Sequence, residues 1–97
     1  MIEHIVLFKV KPHTTDVAAE KMLDGLRGLV TSVRNIVELS CGRNTSERNQ
    51  GFTHGLFVRF QSPSDLEAYI THPEHQRVVA ECVRPIVEST IVVDYEV

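Results

Sequence analysis

The first segment of the chain is a strand with apolar side chains on both faces, and this limits the folds it can adopt. Residues 2–10 are rich in β-branched and aromatic residues and predict a strand. One face carries Val6 and Phe8, and the other carries Ile5 and Leu7. A strand of this kind is covered on both sides. One layer of helices covers only one face, so the second cover comes from elsewhere in the chain or from another copy.

The rest of the chain predicts three more strands and two helical segments. The strands are residues 36–41, 52–60 and 87–95. The first helix follows N-cap candidates at 14–16, and the second begins within 62–65, with Ser62 or Ser64 as the candidate cap. The apolar stripe of the first helix consists of Met22, Leu26, Leu29, Val30 and Val33. The order β-α-β-β-α-β predicts an α+β, ferredoxin-like fold. Its four-stranded antiparallel sheet has the order 4-1-3-2, with both helices on one face.

The sheet face opposite the helices has no cover within one chain. Ile5 and Leu7, with Phe57 on the third strand, would form an exposed apolar patch, and such patches usually mark an interface. A symmetric dimer with its two sheets packed face to face covers both patches at once. We therefore expect one domain over residues 1–97 that forms a homodimer through this face.

The composition argues against several classes of binding partner and several cellular locations. The net charge of −3 and the absence of a Lys/Arg cluster argue against nucleic acid and anionic membranes. No apolar run approaches the ~20 residues that span a bilayer. The N-terminus has no basic region of a signal peptide. Cys41 and Cys82 are far apart in apolar settings, as expected of thiols in a reducing compartment. We expect a cytoplasmic protein.

The segment Tyr69–His75 contains one phenol and two imidazoles. Pro73 suits the first position of a helix, which places His72 at the N-cap and His75 in the first turn. Partial positive charge at a helix N-terminus disfavours an imidazolium. A histidine held there stays neutral near pH 7 and can accept a proton. The alternative is a surface turn with solvated histidines.

Two further histidines lie on apolar strand faces and need partners or a cavity. Strands 1 and 4 are antiparallel neighbours in the predicted sheet, which places His4 near Asp94. This pair would fix the imidazole tautomer. His54 lies toward the other end of the sheet.

Sequence signals for a metal or a cofactor are weak. His72 and His75 have a spacing that could share a helix face, but no Cys ligand has suitable spacing and no H-E-x-x-H motif is present. The chain also has no Gly-rich phosphate loop and no nucleophile elbow. We expect neither a metal nor a cofactor.

Four sequence pieces, in order, carry a resemblance to a known family. They are His4–Lys9, Gly51–His54, Tyr69 with His72–His75, and Asp94–Tyr95. Together they resemble the stress-responsive A/B barrel (Dabb) family over nearly the whole chain. The resemblance implies a dimeric α+β barrel of ferredoxin-like protomers. It also implies a pocket between the helices and one sheet face, with the other face at the dimer contact.

The resemblance also implies site residues. A plant member of the family closes a linear polyketide by an aldol condensation, and its catalytic Tyr and His match Tyr69 and His75. Its pocket histidines match His4 and His54, and a carboxylate close to its site matches Asp94. The aromatic residues from the first helix of that enzyme appear here as the smaller Met22, Leu23 and Leu26. The expected catalytic set is therefore His75, Tyr69, His4 and Asp94. The expected ligand-binding set is His54, Val6, Phe8, Leu23, Leu26, Leu56, Ile70, Val78, Val79 and Val92.

Several functions fit these residues. The first is a dimeric protein that binds a small apolar or carbonyl-bearing molecule without catalysis. The second is a cyclase or lyase. In it His75 removes a proton α to a carbonyl, Tyr69 holds the enolate oxygen, and His4 with Asp94 orients the site. The third is a structural or stress-protective role for the assembly. A haem-dependent or cofactor-free monooxygenase, as in other dimeric α/β barrels, is the fourth.

Overall fold

A computed structural model describes residues 1–97. The elements in chain order are β1 (Ile2–Val10), α1 (Asp16–Ser32), β2 (Glu38–Arg43), β3 (His54–Phe60), α2 (Pro63–Thr71), α3 (Pro73–Val78), a π-helical turn (Val79–Val83) and β4 (Val87–Glu96). We call the segment Val79–Val83 the π-turn. None of the helices combines the length and the apolar character required to cross a membrane.

The sheet is the four-stranded antiparallel sheet that the sequence predicts. Its order is β2-β3-β1-β4, which is the predicted 4-1-3-2 order read from the other edge. His4 on β1 pairs with Val58 on β3 and with Asp94 on β4, while Phe8 pairs with His54. His4 and His54 therefore lie toward opposite ends of the sheet, as predicted. The fold is ferredoxin-like.

Two strands begin later than predicted. β2 begins at Glu38 because Ile36 still lies in the turn after α1, where its N–H donates to the carbonyl of Val33. β3 begins at His54, since the N–H of Phe52 closes a turn onto Asn49. Ile36 and Phe52 have the residue types of strands, but turn hydrogen bonds determine their backbone.

Helix α1 packs one apolar stripe on the sheet. Met22, Leu26 and Leu29 are fully buried in a core that includes Val58 and Phe60. The N-cap is Thr15, whose hydroxyl accepts from the N–H of Ala18 at 3.1 Å. The predicted stripe was wrong at Val30, which is 49% exposed. Val30 directly follows Leu29 and is turned about 100° from it around the helix.

The break between α2 and α3 is produced by His72 and Pro73. His72 has extended backbone angles, as expected before a proline. Its Nδ1 accepts the N–H of Glu74 at 3.0 Å and so caps α3. Pro73 occupies the first helical position. The predicted N-cap role of His72 is confirmed, and His75 lies in the first turn of α3.

The backbone hydrogen bond of the π-turn spans five positions along the chain, one more than in an α-helix. Its defining hydrogen bond runs from the N–H of Arg84 to the carbonyl of Val79, at 2.8 Å. Gly25 of α1 packs closely against this region, because a Cβ built there would lie 3.2 Å from Cys82 Sγ and from Val78 Cγ1. One side of the α3 and π-turn region is thus held against α1.

The sheet face away from the helices carries an apolar patch. It consists of Ile5, Leu7, Phe57, Ile91, Val93 and Tyr95, which alternate along their strands with residues that face the helices. We call these residues the sheet patch. Leu7 is 37% exposed, and Ile91 is 46% exposed. The sequence predicted Ile5, Leu7 and Phe57 in this patch, and β4 adds Ile91, Val93 and Tyr95.

Candidate functional site

A cavity of about 320 Å³ lies between the helices and the sheet. Nine of its thirteen lining residues are hydrophobic, so a bound molecule would contact mostly apolar surface. The lining consists of His4, Val6, Phe8, Leu26, Leu56, Tyr69, Ile70, His75, Val79, Val83, Thr90, Val92 and Asp94. All four residues of the expected catalytic set therefore border one cavity.

His54 was expected at this cavity and does not line it. It lies at the start of β3, opposite Phe8 and Arg43. Its Nδ1 is 2.7 Å from the hydroxyl of Thr53, and burial lowers its pKa. His54 instead borders a shallow depression at the β2–β3 edge of the sheet. His54 lies on β3, which β1 separates from β4, whereas Phe8 and Thr90 at the same level of β1 and β4 line the cavity.

Leu23 and Val78 were also expected in the lining, and the structure places both in the packed core instead. Leu23 is 3% exposed, and the Cys41 thiol lies 3.6 Å from its carbonyl oxygen. Val78 is 2% exposed and points toward Gly25 of α1. Its neighbour Val79 faces the cavity, because successive helical residues point in different directions.

Val83 and Thr90 line the cavity and were missed by the sequence reasoning. Thr90 shares its side of β4 with Val92 and Asp94, so strand alternation could have found it. Val83 reaches the cavity from the end of the π-turn. No signal in the sequence marks a π-turn, and α-helical spacing does not predict this orientation.

His4 is held by Asp94 from the neighbouring strand. Its Nδ1 lies 2.5 Å from Oδ1 of Asp94, which confirms the proximity that the strand order predicted. A carboxylate accepts, so Nδ1 carries the proton. The Nε2 of a neutral His4 is then left as an acceptor. The imidazole is only 6% exposed, and its orientation is fixed by the pair.

Tyr69 is completely buried, and its hydroxyl has no hydrogen-bond partner in the protein. Its ring lies 4.4 Å from the His75 ring and 5.9 Å from the His4 ring, centroid to centroid. Burial raises the pKa of the phenol well above its ordinary value, with a smaller contribution from the Cys41 thiol. Tyr69 is therefore a neutral donor. Leaving a buried hydroxyl unpaired costs about 1–3 kcal/mol.

His75 is half-buried and is oriented by the backbone. Its Nδ1 lies 3.1 Å from the carbonyl oxygen of Ile70. A carbonyl accepts, so Nδ1 carries the proton and Nε2 is left as an acceptor. Burial lowers the pKa of His75, partly offset by the Ile70 hydrogen bond. The imidazole is thus neutral near pH 7.

The polar groups of the cavity can bind and transfer protons without a metal. Tyr69 supplies one donor, His75 supplies a neutral nitrogen, and His4 supplies a second imidazole. No group of three or more His, Cys, Asp and Glu side chains is placed to hold a metal ion. His72, the candidate partner of His75, uses its Nδ1 to cap α3.

Comparison with known proteins agrees with the fold and the motifs. The family model of the Stress responsive A/B Barrel Domain (Dabb) matches residues 2–97. The chain belongs to this family. Among related proteins, a stress-response A/B barrel domain-containing protein of Arabidopsis thaliana is 38% identical over 97 residues. These are 98% of this chain but only 36% of the plant protein, so the chain spans little more than a third of that relative.

Two other similar proteins match over nearly their whole length. Olivetolic acid cyclase of Cannabis sativa is 25% identical over 96 residues, which are 97% of this chain and 94% of the cyclase. A crystal structure from Bacteroides fragilis, described as a dimeric protein of ferredoxin-like fold, has a TM-score of 0.87 and 26% identity. That match covers 99% of this chain and 95% of the other.

The lowered pKa values of His75 and His54 predict how the Dabb domain responds to pH. Both values lie below the ordinary 6.5 of the unfolded chain. Their contribution to stability is present above pH ~6.5 and is lost as the pH falls through the lowered pKa, because the unfolded chain binds the protons more tightly. Urea unfolding between pH ~7.5 and ~5 should show this loss, and His75→Gln should reduce it. An NMR titration that places the His75 pKa at or above 6.5 would contradict the prediction.

Proposed function

We propose that this protein is a homodimer that binds a small, largely apolar, carbonyl-bearing molecule in the cavity between helices and sheet. The observation that carries the proposal is the Tyr69 hydroxyl. It is a fully buried donor without a partner, and it belongs to a residue that lines the cavity. A ligand carbonyl is an acceptor that would complete this hydrogen bond.

The dimensions and polarity of the cavity suit such a ligand. A volume of about 320 Å³ lies at the small end of the range of ligand pockets, roughly 300–1,000 Å³. Ligand pockets combine apolar walls with a few placed polar groups. Here strands and helices form the apolar walls, and Tyr69, His75 and His4 are the polar groups. The ligand would be a ketone, an aldehyde or an acid derivative with an apolar body.

A second candidate function is proton transfer at the carbon next to the bound carbonyl, as in a cyclase or lyase. The observation that favours it is the orientation of His75, whose Nδ1–H is held by Ile70 while Nε2 is left as a base. Because burial lowers its pKa, His75 is in the basic form near neutral pH.

In this reaction Tyr69 and His4 would assist His75. His75 Nε2 would remove the α proton, and the electron pair would move to the carbonyl oxygen. The neutral Tyr69 hydroxyl would donate to that enolate oxygen. His4, fixed by Asp94, would orient the substrate. The relative named as a cyclase, at 25% identity, supports this proposal.

The proposed dimer uses the sheet patch. A bare apolar sheet face of this kind is the usual place for a partner, and the Bacteroides fragilis relative is described as dimeric. Three charged residues on this face pair with one another. Arg59 pairs with Glu3 at 2.8 Å and with Glu38 at 3.2 Å. No unpaired charge of this group would therefore be buried in the contact.

The binding proposal predicts opposite effects of Tyr69→Phe on affinity and on stability. Affinity for decan-2-one should fall about two- to tenfold, the worth of one hydrogen bond. The free energy of unfolding should rise by about 1 kcal/mol, because the unpaired hydroxyl is gone. Calorimetric titration and urea unfolding measure the two quantities. Tyr95→Phe, on the other sheet face, is the matched control and should leave affinity unchanged. Equal affinity of wild type and Tyr69→Phe would overturn the role of Tyr69.

The proton-transfer candidate predicts that the wild type exchanges the α protons of decan-2-one for deuterium in D2O. A general base accelerates such a step by roughly a hundredfold or more, and NMR follows the loss of the α-proton signals. His75→Gln should abolish the acceleration. His72→Asn is the control, because Asn preserves the N-cap. Binding without accelerated exchange in the wild type would reject this candidate and leave the binding proposal intact.

The dimer proposal predicts that Leu7→Glu gives a monomer. Leu7 lies within the sheet patch, where a buried carboxylate would have no partner. Val17→Glu, on the exposed side of α1 at 81% exposure, should remain dimeric. Sedimentation at micromolar concentration distinguishes the two states. A wild type that sediments as a stable monomer would contradict the proposal.

A further inference from the structure

We propose that the ligand of the cavity carries a carboxylate at the end away from its carbonyl, and that Arg84 binds this carboxylate at the cavity mouth. The inference rests on the binding function proposed above and names the class of ligand. This class is an oxo acid with an apolar chain between its ketone and its carboxylate.

Arg84 borders two surface depressions that share lining residues with the cavity. The first depression shares Ile70, His75 and Val79 with the cavity lining. The second shares Val79, Val83 and Thr90 with it. Since Arg84 lines both depressions, its side chain stands at the surface next to the residues that border the cavity.

The π-turn explains why a cation stands at this place. Arg84 directly follows the π-turn, and its N–H donates to the carbonyl of Val79 at 2.8 Å. The same turn directs Val79 and Val83 to the cavity. One local feature of the backbone therefore supplies part of the apolar wall and the adjoining positive charge.

Arg84 has no carboxylate partner within the chain. Arg27, Arg43, Arg59 and Arg77 form salt bridges, whereas Arg34, Arg48 and Arg84 form none, and of these three only Arg84 lines a depression next to the cavity. Its guanidinium is exposed and keeps its donors for a ligand.

The first depression is the better site for an anion. It is lined by Ile70, His75, Gln76, Val79, Ala80 and Arg84, with no acidic residue among them. The second depression contains Glu88, whose charge would oppose a carboxylate there. In the first depression Gln76 adds an exposed amide to the lining, and the neutral His75 adds no negative charge. The carboxylate would therefore bind Arg84 on the side of the first depression.

The spacing along the chain indicates the size of the ligand. His75 and Arg84 are nine positions apart on one continuous helical segment. At about 1.5 Å per residue, their backbones are separated by at most about 13 Å along the axis. A ligand with its ketone at Tyr69 and its carboxylate at Arg84 would have a medium-length chain. We therefore choose 9-oxodecanoate as the probe and decan-2-one as its uncharged counterpart.

The experiment compares the affinities of the two probes for the full chain by calorimetric titration at low salt. Wild type should bind 9-oxodecanoate about three- to fivefold more tightly than decan-2-one, the range expected for one exposed ion pair. In Arg84→Gln this ratio should fall to about one. High salt should reduce the ratio in the wild type. Arg34→Gln removes another exposed arginine outside the cavity and should keep the wild-type ratio.

The outcomes separate this inference from the proposed function. If decan-2-one binds through Tyr69 but 9-oxodecanoate has no advantage, the inference is overturned and the proposed function stands. The same holds if Arg84→Gln keeps the wild-type ratio. If neither probe binds the wild type, both proposals fall. Circular dichroism of the variants checks that each is folded.

Discussion

The antiparallel pairing of β1 with β3 and β4 is the constraint on which the rest of the structure depends. Side chains alternate along β1, so His4 and Val6 face the helices while Ile5 and Leu7 face the sheet patch. A shift of one residue in this pairing would exchange the two faces. It would also separate His4 from Asp94, which meet only because they are directly opposite each other. One register thus determines both the cavity and the patch.

Each of the two cavity histidines is oriented by a hydrogen bond at Nδ1, although the two lie on different elements. His4 donates from Nδ1 to a carboxylate on β4, and His75 donates from Nδ1 to the carbonyl of Ile70. In both cases the hydrogen bond fixes the ring orientation and leaves Nε2 free of a partner within the chain. Between them Tyr69 keeps a buried hydroxyl without a partner. Such a group lowers stability and is expected at a functional site rather than in a passive core.

Sequence reasoning succeeded where local chemistry or strand alternation determines the structure. The sheet order, the His4–Asp94 contact and the cap at His72 follow from strand pairing, proline geometry and helix capping. It failed for Leu23 and Val78, where apolar character does not tell a core position from a cavity wall. His54 was assigned by resemblance to a pocket whose extent along the sheet the sequence does not give. Family membership is shown by the match over residues 2–97, and the function remains a proposal.

Strand β4 contributes both to the proposed ligand cavity and to the proposed dimer contact. Val92 and Asp94 line the cavity, while Ile91 and Val93 on the same strand belong to the sheet patch. Val92 is 51% exposed, because β4 is the edge strand and the helices do not cover it. A partner packed on the sheet patch would restrict the motion of β4 and with it one wall of the cavity. Ligand binding and dimerisation would then be thermodynamically coupled, each favouring the other, through a strand that contributes one face to each.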